Sequence, residues 1–90
     1  MAAERLSQLQ RRILQYVYAA EARSGGIVSA SHVELMRAVG GNKGNVSISV
    51  RNLEAKGLVM VYRTRGGKAE AVALTREGKN RASLFTGSFD

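Results

Sequence analysis

The chain has no cysteine, so disulfide bonds and thiolate metal sites are both excluded. It has a single histidine, His32, and one imidazole without thiolates does not make a metal site. His32 reads instead as a surface or capping residue. Aromatic residues are few, three tyrosines and two phenylalanines, and none cluster into a platform on which single-stranded RNA or DNA could stack. Apolar runs go no further than stretches such as Leu58 to Tyr62, far below the roughly 20 residues of a membrane span. The N-terminus carries charges at Glu4 and Arg5 and no apolar segment of signal-peptide length. The protein is therefore expected to stay in the cytoplasm, where it is made. No pairing of side chains suggests a nucleophile or an acid–base couple, so neither enzymatic activity nor a cofactor is expected.

Acidic residues are also scarce. Seven Asp and Glu face fourteen Lys and Arg, giving a net charge of +7 and a pI near 10.6. That balance favours a polyanionic partner. The excess is spread along the chain, at +2 in residues 1–31, +2 in 32–57 and +3 in 58–90. A folded surface must therefore present it, which argues against a polybasic membrane tether. Ninety residues, 44% apolar and 23% charged, make one globular domain with a modest core.

The pattern predicts the order helix, short strand, helix, helix, strand, strand, helix: a mostly helical α+β domain. The first helix is placed at 3–24, with Leu6, Leu9, Ile13, Val17 and Ala20 at three- and four-residue spacing and Ser24-Gly25-Gly26 as its stop. A short strand is placed at 27–29 on the β-branched pair Ile27-Val28. Ser31 and Glu34 form a capping-box pattern that opens a helix over 31–39, with Val33, Leu35, Met36 and Val39 as its apolar residues. Glu34 is thereby read as a capping partner and not a catalytic base. Gly40-Gly41 supplies a bend, and Asn42 is a suitable N-cap for a third helix at 42–56. Alternation and the Arg65-Gly66-Gly67 turn give a hairpin over 58–74. Ala69, Ala71 and Ala73 fall on one side of its second strand, and Glu70, Val72 and Leu74 on the other. Thr75 caps a last helix at 76–85.

The third helix is the most informative segment. At about 100° per residue, Val46, Val50 and Leu53 share one face, with Ser49 at its margin. Opposite them stand Gly44, Ile48, Arg51 and Ala55, flanked by Ser47. An ordinary solvated helix has little use for an isoleucine opposite its core. In a major groove each outward group finds a partner: Arg51 for guanine O6 and N7, Ser47 and Asn45 for adenine or a phosphate, and Ile48 for a thymine methyl. The free N–H groups at the helix start, near Asn42 and Gly44, favour a phosphate with Lys43 beside them. The Gly41-to-Gly44 loop lacks the preceding strand and the Gly-Lys-Ser/Thr ending of a nucleotide-binding loop. In the hairpin, Arg63, Arg65 and Lys68 surround a Gly-Gly turn, a cationic tip suited to a minor groove or flanking phosphates.

Two further segments carry the family resemblance. Leu53-Glu54-Ala55-Lys56-Gly57-Leu58-Val59 ends the third helix, and Leu74-Thr75-Arg76-Glu77-Gly78 ends the hairpin. In this order and at this separation they resemble the MarR-type winged helix-turn-helix regulators, over roughly residues 27 to 80. The resemblance implies a transcription regulator, usually a homodimer, that reads pseudo-palindromic double-stranded DNA. It places Lys43, Gly44, Asn45, Ser47, Ile48 and Arg51 at groove-facing positions, and Arg63, Arg65 and Lys68 on the wing. Members of the family carry long helices on both sides of this module. Here about fifteen residues follow Thr75, so dimerisation is expected to use the first helix and the C-terminal segment, without a ligand pocket. Leu84, Phe85 and Phe89 are expected to pack back on the core or to serve that contact. Of Tyr16 and Tyr18, at most one is expected in the core, while Tyr62 is expected to pack the wing on the body. The competing reading is a winged-helix protein–protein interaction module within a larger assembly, docking through the same outward face.

Overall fold

The computed structural model describes residues 6–25, 29–63 and 69–87. Helix α1 spans Gln8–Ser24, α2 His32–Val39 and α3 Lys43–Ala55; strands β1, Val59–Arg63, and β2, Ala69–Leu74, form a hairpin; and α4 spans Arg76–Gly87. Ser7 is extended (φ −67°, ψ 163°) and caps α1, so no helix passes through it from Ala3 as the spacing predicted. Its hydroxyl accepts the Gln10 N–H at 3.1 Å, and the Gln10 side-chain oxygen accepts the Ser7 N–H at 3.0 Å. This reciprocal cap uses Gln10 where the commoner residue is Glu. At the other end α4 continues through Gly87, two residues beyond the expected stop.

Helix α1 is the central element, packed against α2, α3, α4 and β2. Its buried surface is accordingly wider than a stripe. Ile13, Leu14 and Val17 are buried, joined by Leu6 from ahead of the cap, and Leu14 lies off the predicted face. Tyr16 and Tyr18 are both half-buried against the core, where at most one was expected. Leu35 and Val39 of α2, Val46, Val50 and Leu53 of α3, Leu58 and Val59, Val72 and Leu74, and Ala82 of α4 complete one continuous cluster. Each fully buried aliphatic side chain contributes about 1.5–3 kcal/mol relative to exposure. Val33 stays 55% exposed and does not join the core with the rest of α2.

The hairpin is antiparallel. Val59 faces Leu74, Met60 faces Ala73, Val61 faces Val72 and Tyr62 faces Ala71, with an irregularity before the Arg63–Ala69 pair. On its other edge β2 meets one residue among those described, Ala30. The Ala30 N–H donates to the Val72 carbonyl at 2.9 Å, and the Val72 N–H donates back at 2.8 Å. This one bridge stands where a strand over 27–29 was expected; Ile27 and Val28 lie outside the described residues. Because α1, α2 and α4 all pack on β2, Val72, Ala73 and Leu74 are buried in succession, and the two-sided alternation predicted for that strand is lost. Tyr62 is 49% exposed and does not close the wing onto the body.

The start of α4 is fixed at the backbone. Thr75 Oγ1 accepts the Gly78 N–H at 3.0 Å and donates to the Gly57 carbonyl at 2.6 Å, and the Thr75 N–H donates to the Leu58 carbonyl at 3.1 Å. Gly78 lies against that same carbonyl: a Cβ built on it would sit 1.9 Å from the Leu58 oxygen. One turn later Lys79 Nζ lies 3.3 Å from Oε1 of Glu21 on α1. The Glu21 side chain is only 9% exposed, and its Oε2 is buried with no hydrogen-bond partner among the described residues. Farther along, Leu84 is 70% exposed, so it does not fold back onto the core; Phe89 lies outside the described residues, as does the side chain of Phe85.

Two stability predictions follow from this end of the molecule. Gly78→Ala forces a methyl group against the Leu58 carbonyl and should cost about 2–3 kcal/mol in urea unfolding. Lys79→Met strips the buried Glu21 of its cation and should cost about 1–3 kcal/mol. The double variant Glu21→Met, Lys79→Met should recover most of that loss in the same melts, because it removes the buried charge itself.

Candidate nucleic-acid interface

Helices α2 and α3 form a helix-turn-helix whose two N-termini are both capped by local side chains. The Ser31 hydroxyl accepts the Glu34 N–H at 3.1 Å, and Glu34 Oε1 accepts the Ser31 N–H at 3.2 Å, as the sequence pattern predicted. The second carboxylate oxygen of Glu34 accepts the Tyr16 hydroxyl at 3.3 Å, which ties the cap to α1. Gly40 ends α2 at φ +74°, a conformation that favours glycine. Asn42 then caps α3, its Oδ1 accepting the Asn45 N–H at 2.8 Å. Of the residues named from sequence at the start of α3, Asn42 is thus occupied by the cap, while Lys43, Gly44 and Asn45 are exposed.

The two faces of α3 separate cleanly. Val46, Ser49, Val50 and Leu53 are buried. Gly44, Ile48, Arg51 and Ala55 are exposed, and Ile48 is 58% open to solvent. Ser47 lies between these faces, half-buried. Its Oγ is 3.2 Å from Nε2 of His32, the first residue of α2. The sequence predicts a surface or capping role for His32; its link to Ser47 bridges fifteen residues of sequence. No local pattern announces such a contact.

A second contact joins α3 to the wing. Arg63, the last residue of β1, donates from Nη1 to Glu54 Oε2 at 3.0 Å and from Nη2 to Glu54 Oε1 at 2.6 Å. This forked pair is geometrically well suited to a guanidinium and a carboxylate. The hydrogen bond from Arg63, aided by the charges of Arg63 and Arg51 and opposed by burial, holds the Glu54 carboxyl below its ordinary value. The same hydrogen bond raises Arg63. Arg63 is therefore not a free wing cation: two of its five donors are engaged. Arg65 and Lys68 lie outside the described residues.

Among the described residues no three His, Cys, Asp or Glu side chains gather as metal ligands would. No helix among them is long and apolar enough to cross a membrane.

No family model and no curated protein sequence matches the chain. Solved structures do. MepR, a transcription regulator of the Staphylococcus aureus multidrug efflux pump MepA, superposes with a TM-score of 0.75 at 26% identity, covering 94% of this chain and 58% of that one. MepR in its DNA-binding conformation gives a TM-score of 0.76 with the same identity, covering 94% of this chain and 59% of that one. The MepR–DNA complex gives 0.74, again at 26% identity, covering 94% of this chain and 65% of that one. The chain thus spans between 58% and 65% of the length of these neighbours. With MepR, a MarR-family regulator, as its structural neighbour, the chain carries a winged helix-turn-helix domain that resembles the MarR-type transcription regulators.

Proposed function

We propose that this chain binds double-stranded DNA in a sequence-specific manner and acts as a transcriptional regulator. In this reading α3 enters the major groove and the wing meets the minor groove or the phosphate backbone. The observation that carries it is the outward face of α3, where small residues surround Arg51 and an isoleucine 58% exposed to water. A backbone clothed in Gly44, Ser47 and Ala55 can approach a groove closely, and Ile48 gains an apolar partner in a thymine methyl. The fold likeness to MepR in complex with DNA, over 94% of this chain, supports the same reading. So does the net charge of +7.

The residue roles follow the chemistry of each group. Arg51 reads guanine; Asn45 and Ser47 meet base edges or phosphate; Lys43 and the N-terminal amides of α3, ordered by Asn42, hold a phosphate. Arg65 and Lys68 supply the wing's cations, and Arg63 adds the donors that Glu54 leaves unused. We assign the protein to the cytoplasm and to a homodimer formed through α1 and the C-terminal segment; exposed Leu84 on α4 supports that surface. Docking of α3 onto another protein is the reading these features favour less, because it leaves the cationic hairpin without a role.

Selection from a random duplex pool, followed by titration of the selected site, tests the proposal. Arg51→Ala should weaken binding to the selected duplex by about 1–3 kcal/mol and leave random duplex nearly unchanged; equal loss on both counts against base reading by Arg51. Arg65→Ala should lower the slope of log K against log salt by about one, and an unchanged slope removes the wing tip from the interface. Failure to bind any duplex at low salt, where phosphate contacts are strongest, overturns the proposal as a whole.

A further inference from the structure

We infer that His32 is a specificity-determining positioning residue: by hydrogen bonding to Ser47 it fixes which way that hydroxyl can bond, and so which base edge Ser47 accepts. The inference rests on the DNA-binding reading of α3 and extends it to a residue on the neighbouring helix.

A serine hydroxyl has one donor and two acceptor lone pairs and rotates to suit its surroundings. Left free in a groove it bonds to any base edge, and it discriminates poorly. In mid-helix it also tends to turn back on the carbonyl one turn earlier. Ser47 is held otherwise. Its Oγ lies 3.2 Å from His32 Nε2, and the imidazole is anchored at the first position of α2, immediately after the Ser31–Glu34 cap. Both Glu34 oxygens are engaged, by the Ser31 N–H and the Tyr16 hydroxyl, so that carboxylate does not compete for the ring. Lys43 and Arg51 flank Ser47 one helical turn to either side and have no acceptor to offer it.

The ring nitrogen is either an acceptor or a donor, and the accepting state makes Ser47 one-sided. If Nε2 accepts, Ser47 spends its only proton on His32 and presents lone pairs alone, which match the amino groups of adenine or cytosine. If Nε2 carries the proton, Ser47 accepts from the ring and its O–H is free for guanine or thymine acceptors. An accepting ring thus turns an ambiguous hydroxyl into a reader of one polarity, whereas a donating ring takes one lone pair and leaves the O–H and the other lone pair. His32 touches no base in this scheme; it acts through Ser47.

A double-variant cycle on the selected duplex tests this. Wild type, Ser47→Ala, His32→Phe, the double variant and His32→Gln are titrated against duplexes changed at one base pair at a time, with folding checked by thermal melts. Ser47→Ala should flatten the preference at one base pair by about three- to tenfold, the range of a single neutral hydrogen bond. His32→Phe should flatten that same base pair by a similar factor, and the double variant should lose nothing more. His32→Gln, which keeps a polar group at comparable reach, should restore part of the preference. If His32→Phe does not fold, His32→Ala is read in its place.

The inference is overturned if the histidine variants weaken all base pairs uniformly, if the two losses multiply in the double variant, or if Ser47→Ala leaves every base preference intact. Those outcomes leave DNA binding standing. A wild-type chain that selects no sequence at all overturns the DNA-binding reading instead, and this inference with it.

Discussion

The carbonyl of Leu58 receives the N–H of Thr75 and has the bare Cα of Gly78 pressed against it. Three elements meet at this spot: the end of α3, the start of β1 and the start of α4. The Leu58 N–H itself donates back to the Leu53 carbonyl at 3.0 Å, closing the C-terminal turn of α3. Thr75 then clamps the junction from the other side through Gly57 and Gly78. Backbone groups and one short hydroxyl, that of Thr75, make these bonds, so the angle between α3 and the hairpin is set without reliance on long side chains. An outward helix face is useful only when its direction is fixed, and this junction fixes it.

From that anchor the division of labour in α3 follows. The inward face supplies Val46, Val50 and Leu53 to a core that also takes Ile13 and Leu14 of α1 and Leu35 of α2. A domain of this size has only a few kcal/mol of net stability, so little of that apolar surface can be spared. The outward face contributes nothing to the core. Its composition is therefore free to answer to a partner, and an isoleucine left in water among small residues is what such freedom looks like when the partner is a groove. Side-chain contacts at the rim, His32 with Ser47 and Glu54 with Arg63, connect this face to α2 and to the wing without reaching the core.

Much of this was legible because it is local. The Ser31–Glu34 box and the Asn42 cap are bonds between residues three apart, and helical periodicity assigned the two faces of α3 correctly. The Leu74-Thr75-x-x-Gly78 segment carried its own signal, although the reason for its glycine, the Leu58 carbonyl, is tertiary. Most of what the pattern does not reveal depends on partners distant in sequence, the local Ser7–Gln10 cap being the exception. Ser7 was passed over because the apolar spacing ran on through Leu6, although Leu6 joins the core from ahead of the cap. The alternation of β2 misled because helices cover the strand more fully than a half-buried hairpin. The pairs His32–Ser47, Glu54–Arg63 and Glu21–Lys79 span nine residues or more. Neither spacing nor composition separates them from the many charged and polar residues left in solvent.

The fork between Glu54 and Arg63 has a consequence for any polyanion that comes near. The carboxylate fills the fork of the guanidinium, the same geometry in which an arginine takes a phosphate. A phosphodiester that reached Arg63 would have to displace Glu54 or share the guanidinium with it, exchanging one anion for another with little net change in electrostatic energy. Arg51 lies three residues from the same glutamate, within the reach of its charge. The acid near the end of α3 thus offsets part of the positive field of both arginines.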